Sequence, residues 1–317
     1  MNAKILISSE KLQAVIDEYR DIFEEHNLDI VLPPVEGRLE EEELLPWIGD
    51  IEGAIIGDDR FTERVLRNAP RLQMISRWGT GIDNIDLETC EELDITVTNI
   101  PEAFTTPVAD TALAFILSFA RQIPWADEAV RNGKWETVPA RSLKESVLGV
   151  IGVGRIGKAI LRRSAGFEMT LLGNDINSVR DGVLDEIGVN MVSKEALFQQ
   201  ADFICVSCDL NPTSRKMIGW HQFEMMKPGA VLINIARGEI IDEEALVEAL
   251  DTKQIAGAGL DVFEAEPLPM DSPLRTMNNA LLSPHNGHSS EMAHESTHIT
   301  AIRNLLEGLH LSDNSGK

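Results

Sequence analysis

Val147-Leu148-Gly149-Val150-Ile151-Gly152-Val153-Gly154-Arg155-Ile156-Gly157 is an apolar run that breaks into G-x-G-x-x-G and then continues with helical periodicity. A strand that ends in three such glycines and passes into a helix is built to hold a pyrophosphate. The first glycine allows the tight turn, the second lets backbone N–H groups approach the phosphates, and the third lets the helix lie close on its strand. The helix N-terminus adds partial positive charge. Gly152, Gly154, Arg155, Ile156 and Gly157 are therefore candidate cofactor-binding residues.

Glycine spacing alone is a weak signal, so the next segment matters. The apolar run Met169–Asn174 ends at Asp175, 23 positions after Gly152. In a dinucleotide-binding βαβ unit this is where an acidic side chain accepts hydrogen bonds from the adenosine ribose hydroxyls, and a carboxylate there repels a 2′-phosphate. NAD is the expected cofactor, in preference to NADP. The plainer alternative is an ordinary glycine turn followed by a surface aspartate. Strand, turn, helix, strand and acid in that order favour the dinucleotide.

The chain has 317 residues, enough for two domains, and 43% of them are hydrophobic. Its formal net charge of −24, from 52 acids against 28 bases, would repel nucleic acid and anionic membrane surfaces. No leader is expected at the N-terminus, and the most apolar helix, Thr111–Ala120, is too short to span a bilayer. A cytoplasmic protein with neither nucleic-acid nor membrane partners is expected. Three cysteines fit a reducing compartment. Cys205 and Cys208 form C-x-x-C within a segment that reads as a buried strand, where a separation of three points the thiols to opposite faces and disfavours a redox or metal pair.

Short apolar runs alternate with helical patterns throughout, the mark of parallel sheets with crossover helices. One set comprises Ile5–Ser8, Ile30–Leu32, Ala54–Gly57, Met74–Arg77 and Ile95–Asn99. A long buried helix then begins after Phe104, with Thr105 or Thr106 expected as N-cap and Pro107 in the first turn. The second set comprises Val147–Gly152, Met169–Asn174, Val189–Val192, Phe203–Ser207, Ala230–Ile235, Ile255–Leu260 and Ala280–Ser283. Helices are expected near Ile156–Ala165, Lys194–Gln200, Trp220–Met226 and Glu243–Leu250. A last helix, within Ser289–Leu309, is expected to cross back onto the first set. The fold class is α/β, with two Rossmann-like or flavodoxin-like parallel-sheet domains and a cleft between them.

Three C-terminal segments carry candidate chemistry. Asn234–Asp242 places Arg237 at the C-terminal end of a strand, the edge that faces the ligand in open α/β sheets, where a guanidinium can grip a carboxylate. Gly259–Pro267 contains Asp261 and Glu266, and Leu282–His288 contains His285. A histidine paired with a carboxylate serves as acid and base near neutral pH, so Glu266 and His285 suit proton transfer coupled to hydride transfer. His294 and His298, spaced i, i+4, hint at a metal, but no converging ligand set accompanies them.

The chain resembles the D-isomer-specific 2-hydroxyacid dehydrogenase family over essentially its whole length. The residues that carry the resemblance are Arg77–Asp86, the Gly152–Gly157 turn, Asn234–Asp242, Gly259–Pro267 and Ser283–His285. The resemblance implies that Arg237 binds the substrate carboxylate and carbonyl, that His285 is the acid/base and that Glu266 tunes it. It implies that Asp261 contacts the nicotinamide end and that the loop of Gly79, Thr80 and Gly81, with Arg77 beside it, receives the substrate carboxylate. Cys208 joins the candidate cofactor-binding residues. Residues 1–103 plus 287–317 would form a discontinuous substrate domain and 104–286 the NAD-binding domain, with a homodimer formed through the latter. The partner molecule would be a small 2-hydroxy or 2-keto acid.

Departures from the family pattern are informative. Where the family often shows His, Pro and Thr, this chain has Ser207, Asp209 and Asn211. Members that oxidise phosphoglycerate tend to carry an arginine near Ile56 or Asp58, whereas here Asp58 and Asp59 stand with only Arg60 close by. A phosphate dianion would be repelled unless Arg60 or Arg77 turns toward it. A small unphosphorylated substrate of the glyoxylate, hydroxypyruvate or pyruvate type is expected. D-3-phosphoglycerate oxidation is the alternative, and a non-catalytic NAD-sensing corepressor-like protein is the alternative from another class.

Overall fold

The structure, a computed structural model, describes residues 2–179 and 181–311. Met1, Arg180 and residues 312–317, which the expected domains include, lie outside the described residues. The chain divides into two compact units: the residues up to Phe104 together with those from Ser289 onward, and Thr105–His288.

The first unit contains β1 (Ala3–Ile7), β2 (Leu28–Val31), β3 (Gly53–Ile56), β4 (Met74–Arg77) and β5 (Thr96–Thr98). All pair in parallel, in the order β2-β1-β3-β4-β5. The central segments are apolar on both faces because helices cover both, as parallel sheets require. The C-terminal helix Glu291–Gly308 packs on β3 and β4. Its Ala301, Ile302 and Leu305 are buried, and the Ser76 hydroxyl donates to the Ala301 carbonyl at 2.8 Å. Truncating Leu305 to alanine there would cost about 2–5 kcal/mol.

The second unit contains β6 (Val147–Ile151), β7 (Thr170–Asn174), β8 (Asn190–Met191), β9 (Phe203–Val206), β10 (Val231–Asn234), β11 (Gly257–Leu260) and β12 (Ala280–Leu282). Their order is β12-β11-β10-β9-β6-β7-β8, again all parallel. Alternation along each strand divides the core in two. Leu148, Val150, Phe203, Cys205, Val231 and Ile233 face the buried side of helix Thr105–Arg121, while Ile204, Val206, Leu232, Ala258 and Leu260 pack on the other side of the sheet. This is the expected α/β class, two parallel-sheet units.

Two local expectations need correction, and a further helix was not expected. The long helix begins at Thr105 itself, so neither Thr105 nor Thr106 is its N-cap. Pro107 is tolerated because a first-turn residue has no intrahelical acceptor for the N–H that proline lacks. A second helix, Ile123–Arg131, follows immediately, because Gln122 adopts φ 57° and its amide donates to the Phe119 carbonyl, which ends the first. Cys208 is not in a strand, since β9 stops at Val206.

Candidate active site

The strand order turns back on itself at β6, which lies between β9 and β7. In an open α/β sheet, ligands bind beyond the C-terminal ends of the strands at this reversal. Gly152 follows β6 directly, Asp175 follows β7, Cys208 lies two residues beyond β9, Arg237 three beyond β10, Asp261 one beyond β11 and His285 three beyond β12. One edge of one sheet thus collects these candidates.

The glycine turn has the form that a pyrophosphate needs. Gly152 sits at φ +91°, and a Cβ there would fall 2.5 Å from the Cα and N of Cys208, so only glycine fits. A Cβ on Gly157 would collide with the Gly152 carbonyl, and the helix could not then approach the strand. Around Gly154 nothing lies within 4 Å of a Cβ position, which leaves room for a group to reach the backbone. Gly154 is the N-cap of helix Arg155–Ala165 and, as glycine, offers no side chain to cap that end. Arg155 is exposed on the first turn and Ile156 half-buried behind it. Asp175 accepts the Val153 N–H at 2.8 Å and the Asn177 N–H at 2.8 Å, one through each carboxylate oxygen, which fixes it against the turn. These residues fit NAD.

Cys208 borders the turn as a protonated thiol, because burial pushes it up to about 11; Cys205 is pushed to about 12 for the same reason. Ser207 hydrogen-bonds the Gly152 carbonyl at 2.8 Å and so steadies the turn, while Asn211 accepts the Thr213 N–H and hydroxyl within its own loop.

At the far end of the same edge, His285 Nδ1 meets Glu266 Oε2 at 2.8 Å. The other Glu266 oxygen accepts the Phe263 N–H at 2.9 Å, which aims the carboxylate. His285 itself lies at φ +50°, a left-handed conformation costly for a side-chain-bearing residue. Asp261 holds it there. The Asp261 carbonyl accepts the His285 N–H at 2.8 Å, and its buried carboxylate accepts the N–H groups of Asn286 at 2.9 Å and Gly287 at 2.8 Å. Sequence reading assigned Asp261 to the cofactor, and its backbone role was legible only in three dimensions.

Arg237 leaves β10 in extended conformation, and its guanidinium donates to the Ala236 carbonyl at 2.8 Å. Asn234, a residue that sequence reading missed, forms this corner. Its amide donates to the Arg237 carbonyl at 2.8 Å and its oxygen accepts the Ala236 N–H at 3.1 Å, with the side chain buried. The signal was a polar residue closing an otherwise apolar strand.

The remaining candidates belong to the first unit. Arg77, at the end of β4, lies under the loop that follows. Its Nε donates to the Gly81 carbonyl at 3.0 Å, one terminal nitrogen to the Trp78 carbonyl and the other to Asp58 at 2.5 Å. Among the described residues, the N–H groups of Thr80 and Gly81 have no hydrogen-bond acceptor, and Asn99 and Ile100 hold the loop through the carbonyls of Thr80 and Gly79. Such a pair of N–H groups is suited to a carboxylate.

His294 and His298 enter an aromatic cluster. Trp78 Nε1–H donates to His298 Nδ1 at 3.0 Å, and burial, with His294 nearby, lowers the His298 pKa to about 4. Among the described residues no group of histidine, cysteine and carboxylate could hold a metal ion. A cavity of about 410 Å³ opens at the opposite edge of the second unit's sheet, where Phe203 and Val231 begin their strands; none of the candidate residues lines it. No described helix is long and apolar enough to cross a membrane.

Residues 113–287 match the family model "D-isomer specific 2-hydroxyacid dehydrogenase, NAD binding domain". Glyoxylate reductase of Thermococcus gammatolerans is 34% identical over 316 residues, covering 96% of this chain and 92% of that protein. D-3-phosphoglycerate dehydrogenase of Methanocaldococcus jannaschii is 38% identical over 277 residues, covering 85% of this chain; the alignment spans about half, 52%, of that longer relative. Among solved structures, D-lactate dehydrogenase from Aquifex aeolicus complexed with NAD and lactic acid superposes with a TM-score of 0.88 at 26% identity, covering 97% of this chain and 95% of that one.

Proposed function

Because the chain belongs to the D-isomer-specific 2-hydroxyacid dehydrogenase family and is an NAD-dependent oxidoreductase, we propose that it interconverts a small unphosphorylated D-2-hydroxy acid and its 2-keto acid, of the glyoxylate, hydroxypyruvate or pyruvate type. The observation that carries the reading is the 2.8 Å bond between His285 and Glu266 on the strand-end edge that also bears Arg237 and the glycine turn.

NAD, when bound, supplies or accepts the hydride at C4 of its nicotinamide. The remaining steps belong to the chain. Arg237 grips the substrate carboxylate and carbonyl oxygen through its planar fork. Glu266 takes the Nδ1–H of His285, which fixes the orientation and tautomer of the ring. His285 then gives a proton from Nε2 to the carbonyl oxygen in reduction and removes the hydroxyl proton in oxidation. The N–H groups of Thr80 and Gly81 receive the carboxylate, with Arg77 bracing their loop, and Asp175 receives the adenosine ribose.

The choice of an unphosphorylated substrate rests on the charges around that loop. Arg77 is already bonded to Asp58, and Arg60 lies 4.0 Å from Glu40, so neither guanidinium is uncompensated for a phosphate. The protein works as a cytoplasmic homodimer joined through the NAD-binding unit, where the exposed apolar residues Ile123, Val130 and Trp135 cluster along one segment. Loss of NADH absorbance with a panel of glyoxylate, hydroxypyruvate, pyruvate and the phosphorylated 3-carbon acid tests the reading. Turnover of the unphosphorylated acids is expected; a protein that binds NADH but reduces none of the panel would be a non-catalytic NAD sensor instead.

A further inference from the structure

We propose that Asp58 is the residue by which this enzyme rejects phosphorylated substrates, an inference that rests on the substrate loop proposed above. β3 and β4 are neighbours in register, with Ile56 opposite Arg77, so the residues that follow Ile56 meet the Arg77 side chain at the strand ends. The Arg77 side chain is only 6% exposed and is enclosed under the 78–81 loop, whereas the Asp58 side chain is 50% exposed. An anion that approaches the loop therefore meets the carboxylate first and finds the guanidinium already neutralised. The neighbouring Asp59 cannot substitute for it. That side chain is fully buried, accepting the Ser8 hydroxyl and the N–H groups of Leu39 and Gly57.

The arrangement discriminates by repulsion rather than by fit. A monoanionic 2-hydroxy acid needs only the N–H groups of Thr80 and Gly81. A substrate that also carries a phosphate dianion must place it near an anion whose cationic partner is spent. Removing the charge of Asp58 while keeping its hydrogen bond leaves Arg77 in place without its exposed counter-charge, with the buried Asp59 as its remaining acidic neighbour.

Asp58→Asn meets that condition, because the amide oxygen can still accept from Arg77. D-glycerate and 3-phosphoglycerate, oxidised with NAD, differ only in the phosphate and serve as a matched pair. The wild type is expected to favour D-glycerate, and D58N to raise the kcat/KM ratio of 3-phosphoglycerate to D-glycerate at least tenfold. Inorganic phosphate should raise the melting temperature of D58N and leave that of the wild type unchanged, a readout independent of turnover. A ratio within twofold of the wild type in a D58N protein that still binds NADH, or the absence of any phosphate effect on its melting, overturns the assignment. A wild type that oxidises 3-phosphoglycerate as readily as D-glycerate overturns it without any variant. Failure of the wild type to reduce glyoxylate, hydroxypyruvate or pyruvate bears on the substrate class instead, since phosphate binding by D58N is judged separately.

Discussion

His285, Glu266 and Arg237 are polar residues that stand just past apolar runs, and in a parallel sheet that position means the ligand edge. For that reason they could be singled out from sequence. Their supports could not: Asn234 looks like the last residue of a strand, and the carboxylate of Asp261 turns out to be occupied by the N–H groups of Asn286 and Gly287. The Asp261 contacts link residues 25 and 26 positions apart, the Asn234 contact spans only three, and neither leaves a periodic trace. Two outcomes follow at this scale. Replacing His285 by alanine should lower kcat about 10²–10⁴-fold, the usual worth of a positioned acid/base, with NADH affinity retained in fluorescence titration; Arg237→Ala should fall as far, through kcat and KM together. Near-normal turnover in either variant would remove that residue from the mechanism. Asp175→Ala removes the acceptor at the end of β7 and the charge that repels a 2′-phosphate. The NAD-to-NADP ratio of kcat/KM should therefore drop toward unity, and a parent enzyme that already prefers NADP would contradict the assignment.

Among the elements, strands were readable because buried parallel strands are continuous apolar runs, and most ends fall within one or two residues of the observed ones. The helices Ile123–Arg131 and Gly182–Glu186 were not read. The former abuts the end of a longer helix at Gln122, and the latter is short and carries a single buried residue. The C-terminal helix was readable, but not what its histidines do. His298 is 5% exposed and accepts from Trp78 with its neutral ring, and burial lowers its pKa to about 4 from 6.5. The unfolded chain then takes up the proton first as pH falls. The stabilising effect is complete above pH 6.5 and is lost progressively between 6.5 and about 4, by roughly 3 kcal/mol at most. His298→Asn keeps an acceptor for the indole and has no proton to gain, so its stability should fall less across that window. Urea unfolding at pH 7 and pH 5 measures the difference; equal losses in the two proteins would show that His298 is not the group responsible.

At the scale of the whole molecule, the opposing quantities are a net charge of −24 per chain and an apolar stripe left uncovered in the NAD-binding unit. Ile123, Ala126 and Val130 recur at helical spacing on a helix that has no buried residue, and Trp135, 89% exposed, follows it. Bringing two copies together over this stripe buries apolar surface, worth about 25 cal/mol per Å², but also brings two strongly acidic bodies into contact. Salt screens the repulsion within about 8 Å at physiological strength and leaves the apolar gain intact. The proposed homodimer should accordingly tighten as sodium chloride rises from low to moderate concentration, whereas an interface held by ion pairs would loosen. Analytical ultracentrifugation across that range should give twice the mass of one chain at moderate salt. Ile123→Glu combined with Val130→Glu should return the chain to a monomer with its secondary structure unchanged. A wild type that stays monomeric at every salt concentration, or a charged variant that stays dimeric, would place the association elsewhere or remove it.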